Sequence, residues 1–208
     1  MSERSHTPNT LRTALVAGLA MAVVVAASNV LVQYPLGDLL TWGALSYPLA
    51  FLVTDLSNRL AGPTVARRVV LVGFALGVAL SVWLATPRIA IASGTAFLAA
   101  QMLDVAVFDR LRAGAWWRAP AVSSVLGSAL DTALFFWLAF ALSAAPLFGG
   151  WAGEDIGMGT PVPLLWVGPE VALWVNLAVG DFLAKLAITA LALLPYRAVA
   201  RSRPAYGT

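Results

Sequence analysis

Cysteine is absent from the 208 residues, and histidine occurs once. Without thiols there are no disulfides, iron–sulfur clusters or thiol nucleophiles. The single His6 lies in a polar stretch ahead of the first apolar run, so a histidine base or a histidine zinc site has no residues to build it. Charge is also scarce: Asp, Glu, Lys and Arg together make up 11% of the chain, against about 25% in soluble domains. G-x-S-x-G, P-loop and H-E-x-x-H patterns are missing, which removes the usual sequence routes to hydrolase, nucleotide-dependent and metalloprotease chemistry. No enzymatic activity, cofactor or metal is expected.

What the chain has is apolar surface. Hydrophobic residues account for 60%, where soluble domains hold about 45–50%, and the mean hydropathy is +0.83. Water could not solvate such a surface, so lipid is the expected solvent. Apolar runs occur at Thr13–Leu31, Trp42–Leu56, Val69–Thr86, Ile89–Phe108, Ala119–Ala145 and Val171–Leu194. They are too long for strands and lack alternation, and within lipid only helices and closed barrels satisfy their own backbones. The spacing predicts an all-α membrane protein of six transmembrane helices. The second run is short unless it begins at Leu39. A tail over 1–12, a six-helix transmembrane domain over 13–195 and a basic tail over 196–208 follow, with one long Gly- and Pro-rich connection at about 146–169 and Leu164–Val167 dipping into the interface.

Arginine sets the orientation. Arg4, Arg12, Arg59, Arg67, Arg68, Arg110, Arg112, Arg118, Arg197, Arg201 and Arg203 fall on one set of alternating sides, and only Arg88 on the other. The opposite loops carry Asp38, Glu154, Asp155 and Glu170. That asymmetry places both termini in the cytoplasm. It also explains the net charge of +3 and the pI near 9.8 without nucleic acid as a direct partner. The first run, from Ala14 to Ala27, has the features of a secretory signal; five further spans follow it, which favours an uncleaved first helix.

The residues that lipid should exclude are the informative ones. A charged side chain at the centre of a span costs roughly 2.5–3.5 kcal/mol on insertion scales. Asp55, Asp104, Asp131, Asp181 and Lys185 nevertheless lie within the runs, with Asn29, Gln33, Gln101 and Asn176. Asp181 and Lys185 are spaced i,i+4 with the acid first, the favourable order for a pair, and Asp55 and Arg59 repeat that spacing. Gln101 and Asp104 share a stripe with Ser93 and Phe97. Ser124, Ser128 and Asp131 share another, beside Gly127 as a close-packing point. Asp104 and Asp131 have no basic residue within one turn, so they must be protonated, paired across helices, or exposed to a wet cavity. A buried, self-neutralising ion pair and ordinary core aromatics are the structural alternatives.

Thr41-Trp-Gly-Ala44, Ser46-Tyr-Pro48, Phe51-Leu-Val-Thr-Asp-Leu56, Arg59 and Ala66-Arg-Arg68 resemble the queuosine-precursor transporter family, also called the vitamin uptake transporter family. The resemblance continues through Arg88-Ile-Ala90, Gln101-Met-Leu-Asp-Val105, Phe108, Arg110-Leu-Arg112, Trp116-Trp117, Ala119-Pro120 and Asp131-Thr132. Ser28-Asn29, Val32-Gln33 and the Asp181/Lys185 pair extend it, so that it covers about residues 28 to 195. Position 59 departs from the pattern, which often has an acid there, and the 146–169 connection matches no family pattern.

The resemblance implies a multi-pass protein of the bacterial inner membrane that imports the 7-deazaguanine bases preQ0 and preQ1 for tRNA queuosine. It carries over to Asn29, Gln33, Asp55, Gln101, Asp104, Asp131, Asp181 and Lys185. The guanine-like edge of such a base offers two adjacent N–H donors to a carboxylate and a carbonyl to an amide or ammonium. Asp131 or Asp181 is the candidate for the N–H edge. Lys185, Gln101 or Asn29 would meet the carbonyl and Tyr47, Phe97 or Trp174 would stack, with Gln33 nearby. Asp55 and Asp104 are the proton-coupling candidates, and facilitated diffusion with metabolic trapping is the alternative. Partners reduce to a small-molecule substrate and membrane lipid. A homodimer would enlarge the transport path, although no sequence feature decides it. Two rival functions remain: a substrate-binding subunit of an ATP-driven vitamin uptake system, for which Ala14–Gly18 and Gly73–Gly77 are candidate coupling surfaces, and transport of another heterocyclic vitamin.

Overall fold

Where water is excluded, every backbone N–H and C=O needs an internal partner, and the long apolar runs of this chain meet that need by coiling into helices. A computed structural model describes residues 8–32, 34–36, 40–149 and 157–202. Arg4, His6, Gln33, Asp38, Glu154, Asp155 and Arg203 lie outside the described residues. The helices are α1 (Pro8–Leu31), α2 (Trp42–Ser46), α3 (Leu49–Ala61), α4 (Pro63–Leu84), α5 (Pro87–Leu111), α6 (Arg118–Phe140) and α7 (Leu173–Ser202). Five of them, α1 and α4 to α7, are long and apolar enough to cross a membrane. The protein is an all-α membrane protein.

The second apolar run is built differently from the other five. It forms α2, of 5 residues, and α3, of 13 residues, joined at Tyr47–Pro48. Proline has no N–H to continue the ladder, and the turn tightens instead, with Ala50 N donating to Tyr47 O at 3.0 Å and Phe51 N to Pro48 O at 3.1 Å. End to end the two pieces cover about 30 Å, the thickness of a bilayer core. Elsewhere the helices outrun their apolar stretches: α1 starts at Pro8, and α7 continues through Pro195 to Ser202.

Local chemistry sets the ends. Gly62 closes α3 and opens α4 at φ 83°, a left-handed conformation that glycine adopts without strain, and Pro63 follows in the first turn of α4. Thr86 caps α5 with its hydroxyl on Ile89 N at 3.4 Å. Arg88 is the second residue of α5 and reaches across to the end of α6. Its Nε donates to Leu138 O at 2.8 Å and its Nη2 to Ala141 O at 2.8 Å. Its guanidinium also lies 5.4 Å from the centre of the Phe148 ring. Leu138 stands in the last turn of α6, where carbonyls lack intrahelical donors, and Ala141 O, just past the helix, also accepts from Ala144 N at 3.1 Å.

Packing inverts the pattern of a soluble protein. Leu15, Leu19, Val82, Trp83, Leu191 and Leu194 point outwards, whereas Thr54, Asp55, Asn58, Gln101, Asp104, Ser128 and Asn176 are buried. Helix α1 runs alongside α4 through Met21 against Gly73 and Val25 against Gly77. That occupies one of the two surfaces considered for a coupling partner; at Gly18, on the other, a Cβ would meet nothing within 4 Å. The expected close approach at Gly127 is present. A Cβ there would fall 2.6 Å from the Phe51 ring and 3.3 Å from Ala100 O, so α3, α5 and α6 meet at that point.

After α6 the chain forms a 3-10 helix, Leu142–Leu147, and then a hairpin of β3 (Pro161–Pro163) and β4 (Glu170–Ala172) in antiparallel register, Val162 opposite Val171. A second short hairpin, β1 (Pro35–Leu36) with β2 (Leu40–Thr41), precedes α2. Between β3 and β4, Leu165 and Trp166 adopt φ 51° and 66°, and Trp166 and Val167 are exposed. Apart from Arg88, the described arginines gather at the opposite end of the bundle, where Arg59 Nη2 donates to Ala200 O at 3.1 Å and Arg197 lies 5.2 Å over the Trp116 ring.

Removing the Arg88 fork strands the Leu138 carbonyl and leaves Ala141 O with Ala144 N alone. Arg88→Ala is expected to destabilise the fold by about 2–3 kcal/mol, read as a lower thermal midpoint of the purified protein in detergent. Arg88→Lys should recover only part of it, because an ammonium cannot reproduce the two-pronged geometry. An unchanged midpoint in Arg88→Ala would remove this contact from the account.

Candidate functional site

Helices α6 and α7 each bring acidic residues to the interior, and one ammonium joins them. Lys185 Nζ donates to Asp181 Oδ2 at 2.5 Å, to Asp131 Oδ2 at 2.7 Å and to Thr132 Oγ1 at 3.1 Å. All three ammonium protons therefore have an acceptor. Thr132 in turn donates to Asp181 Oδ2 at 2.7 Å. The i,i+4 pairing of Asp181 and Lys185 is present, and Asp131 completes it from the neighbouring helix. The lysine is 4% exposed, so water contributes little to its solvation.

The seam between α2 and α3 places Tyr47 against this cluster. Its hydroxyl donates to Asp131 Oδ1 at 3.5 Å and its ring centre lies 5.7 Å from Lys185 Nζ, within cation–π range. On the other side the Tyr47 ring meets Phe97 edge to face, with centroids 5.9 Å apart. A carboxylate pair, an ammonium, a hydroxyl and two aromatic rings thus converge on one point. Such a set can accept two N–H groups, donate to a carbonyl and stack against a planar ring.

A second polar layer lies about two turns further along α6, toward the arginine-rich end. Ser123 and Ser124 donate to the two oxygens of Asp55, at 3.1 and 3.2 Å. Asp104 of α5 lies alongside Asp55 and Ser123, fully buried and without a hydrogen-bond partner among the described residues. The expected Asp55–Arg59 pair does not form. Arg59 turns instead toward the end of α7, onto Ala200 O and over the Tyr196 ring at 5.8 Å. Between the layers, Gln101 accepts from Thr54 Oγ1 at 2.6 Å, while Gln101 Nε2 and Ser128 Oγ are buried without partners among the described residues.

The remaining candidates disperse. Asn29 donates to Val25 O at 2.9 Å and lines a cleft with Tyr47 and Phe97 rather than the ion cluster. Trp174 lies in the first turn of α7, about two turns from Asp181, its backbone N–H donating to Met158 O at 3.1 Å. Gln33 lies outside the described residues. Sequence reasoning missed Thr132 as a site residue, although it stands beside Asp131, and missed Ser123 as a partner of Asp55. A hydroxyl adjoining an intramembrane acid was the signal available for Thr132. Among the described residues no group of three or more metal-binding side chains occurs.

The chain is similar to known proteins over most of its length. The family model described as "Putative vitamin uptake transporter" matches residues 41–86 and 78–199. The "Queuosine precursor transporter" of Escherichia coli (strain K12) is 33% identical over 197 residues, covering 83% of this chain and 79% of that protein. The "Probable queuosine precursor transporter" of Haemophilus influenzae is 36% identical over 159 residues, covering 59% of this chain and 68% of that protein. No solved structure matches. With most of its helices inside the matched region and its polar core carried on them, the chain belongs to the vitamin uptake transporter family.

Proposed function

We propose that this protein imports queuosine precursors, the 7-deazaguanine bases preQ0 and preQ1, across the bacterial inner membrane. The convergence of Asp131, Asp181, Lys185, Thr132 and Tyr47 inside the bundle carries this reading. A deazaguanine presents adjacent N–H donors on one edge and a carbonyl beside them. Asp131 or Asp181 accepts the donors, Lys185 meets the carbonyl, and Tyr47 and Phe97 supply ring faces. Gln101 and Asn29 border the path, and Trp174 stands above it. Because Lys185 already occupies both acids, a bound base must take over part of its hydrogen bonding, which ties binding to a rearrangement of α6 against α7. Six crossings with cytoplasmic termini are supported by the paired α2–α3 segment and by the collection of arginines at one end. Import without a partner ATPase is favoured over a binding-subunit role by the use of Gly73 and Gly77 inside the fold.

Coupling falls to Asp55 and Asp104. Two adjacent carboxyl groups in a low-dielectric interior cannot both ionise readily, and among the described residues no cation is bonded to this pair. The pair is therefore a proton carrier on the arginine-rich side of the substrate site.

The decisive assay is uptake of labelled preQ0 and preQ1, with queuosine in tRNA as a second readout, in cells lacking queuosine synthesis and their own transporter and expressing this chain alone. Wild type is expected to restore both. Asp131→Asn and Asp181→Asn are each expected to reduce initial uptake at least tenfold at equal membrane levels. If both variants transported normally, the site assignment would be wrong. A protonophore is expected to abolish accumulation against a gradient, and Asp104→Asn should make the remaining uptake insensitive to it. Wild-type uptake that ignores both protonophore and external pH would place Asp55 and Asp104 outside the transport cycle.

A further inference from the structure

Gly73, Gly77 and Gly94 line a cleft between α1, α4 and α5. At Gly94 a Cβ would sit 3.4 Å from the Phe74 ring, at Gly77 3.5 Å from Val25, and at Gly73 it would press on Met21 at 2.7 Å and on Phe97 at 3.1 Å. Aromatic and polar side chains line the cleft. Its aromatic walls are Phe74, Phe97 and Tyr47, and its polar groups come from Asn29, Ser81 and Ser93. Ser81 is 6% exposed, and its hydroxyl makes no hydrogen bond among the described residues. A hydroxyl in that state is open to an acceptor or donor within the cleft. Aromatic walls, backbone-deep glycines and a few hydroxyls suit a flat, polar-edged heterocycle.

Tyr47 belongs to both this cleft and the ion cluster. Its contact with Asp131, at 3.5 Å, is longer than any of the three bonds made by Lys185. It also stands where Pro48 interrupts the helix, so a change of backbone angle there breaks few hydrogen bonds. The cleft lies toward the ends of α1, α4 and α5 that are remote from the arginine cluster, near Leu31, Leu84 and Pro87.

We propose that this cleft is a second substrate subsite, an antechamber in which the planar base rests against Phe74 and Phe97 before passing Tyr47, the gate to the Asp131–Lys185 centre. The proposal rests on the import reading above and adds to it where the base waits and which side chain must move. It makes Gly77 and Gly94 determinants of ring size, and Ser81 and Ser93 contacts to the ring edge.

The absence of native cysteines makes the test direct. Ser93→Cys and Ser81→Cys are introduced singly into the full chain and treated in cells with a membrane-impermeant methanethiosulfonate reagent. Both are expected to label from outside, and saturating preQ1 is expected to slow labelling at least fivefold. Gly94→Leu, which fills the cleft, is expected to raise KM for uptake at least tenfold. For the gate, Ser128→Cys or Thr132→Cys reports on the space beyond Tyr47, and adding Tyr47→Ala should speed its labelling several-fold. Cysteines that stay unlabelled in variants that still import, or that label at the same rate with saturating preQ1, overturn the antechamber. Unchanged labelling behind Tyr47→Ala overturns the gate. The import reading fails separately, as absence of uptake by the wild-type chain in the same cells.

Discussion

The single lysine of this chain is held by two carboxylates and a hydroxyl in the interior of a lipid-facing bundle. An ammonium in that setting is tolerated only when each of its protons is accepted, because the loss of hydration on burial amounts to several kcal/mol per ion. That requirement fixes the register of α6 against α7: Asp131 and Thr132 must stand level with Asp181 and Lys185. A hydrophobic pair of the same volume would hold two helices together at least as well. The ion cluster is therefore a poor device for stability. Its presence at the meeting point of α6, α7 and the α2–α3 seam fits a group whose partners are exchanged during a working cycle.

Helix α6 acts as a spine with two rungs. One rung, Asp131 and Thr132, engages α7; the other, Ser123 and Ser124, holds Asp55 of α3 beside Asp104 of α5. Gly127 lies between them and lets Phe51 and the backbone of Ala100 approach closely. Polar atoms of Gln101 and Ser128 without partners among the described residues lie in the same interval. The polar interior thus runs along the helix axis as a column, with apolar packing on its flanks. This arrangement suits a path better than a single closed pocket.

Much of this was legible in the sequence for a physical reason. Lipid forbids open strands and irregular spans, so the apolar runs located five membrane-length helices directly. Spacing along one helix was equally readable, and the Asp181–Lys185 pair formed as expected. Contacts between helices were not readable, because periodicity gives a residue's face and not the neighbour opposite it. Hence Asp131 found its cation on α7, Thr132 entered the cluster without having been marked as a site residue, and Asp55 chose Ser123 and Ser124 over Arg59. Pro48 was visible in the second run, yet the division of that run into α2 and α3 depends on how the broken ladder is satisfied in three dimensions.

Asn176, one turn into α7, accepts the N–H of Leu165 at 2.6 Å and so holds the turn of the β3–β4 hairpin. Lys185 follows nine positions later on the same uninterrupted stretch of helix, about 14 Å down its axis. No proline or glycine kink intervenes except Gly180, which is buried and helical. The hairpin and the ammonium are thereby fixed to opposite ends of one lever arm. A tilt of that arm large enough to loosen the lysine from Asp131 carries the exposed Trp166 and Val167 through a wider arc at the surface, so the hairpin is the pointer of an instrument whose pivot lies in the packing of α7 against α3 and α6.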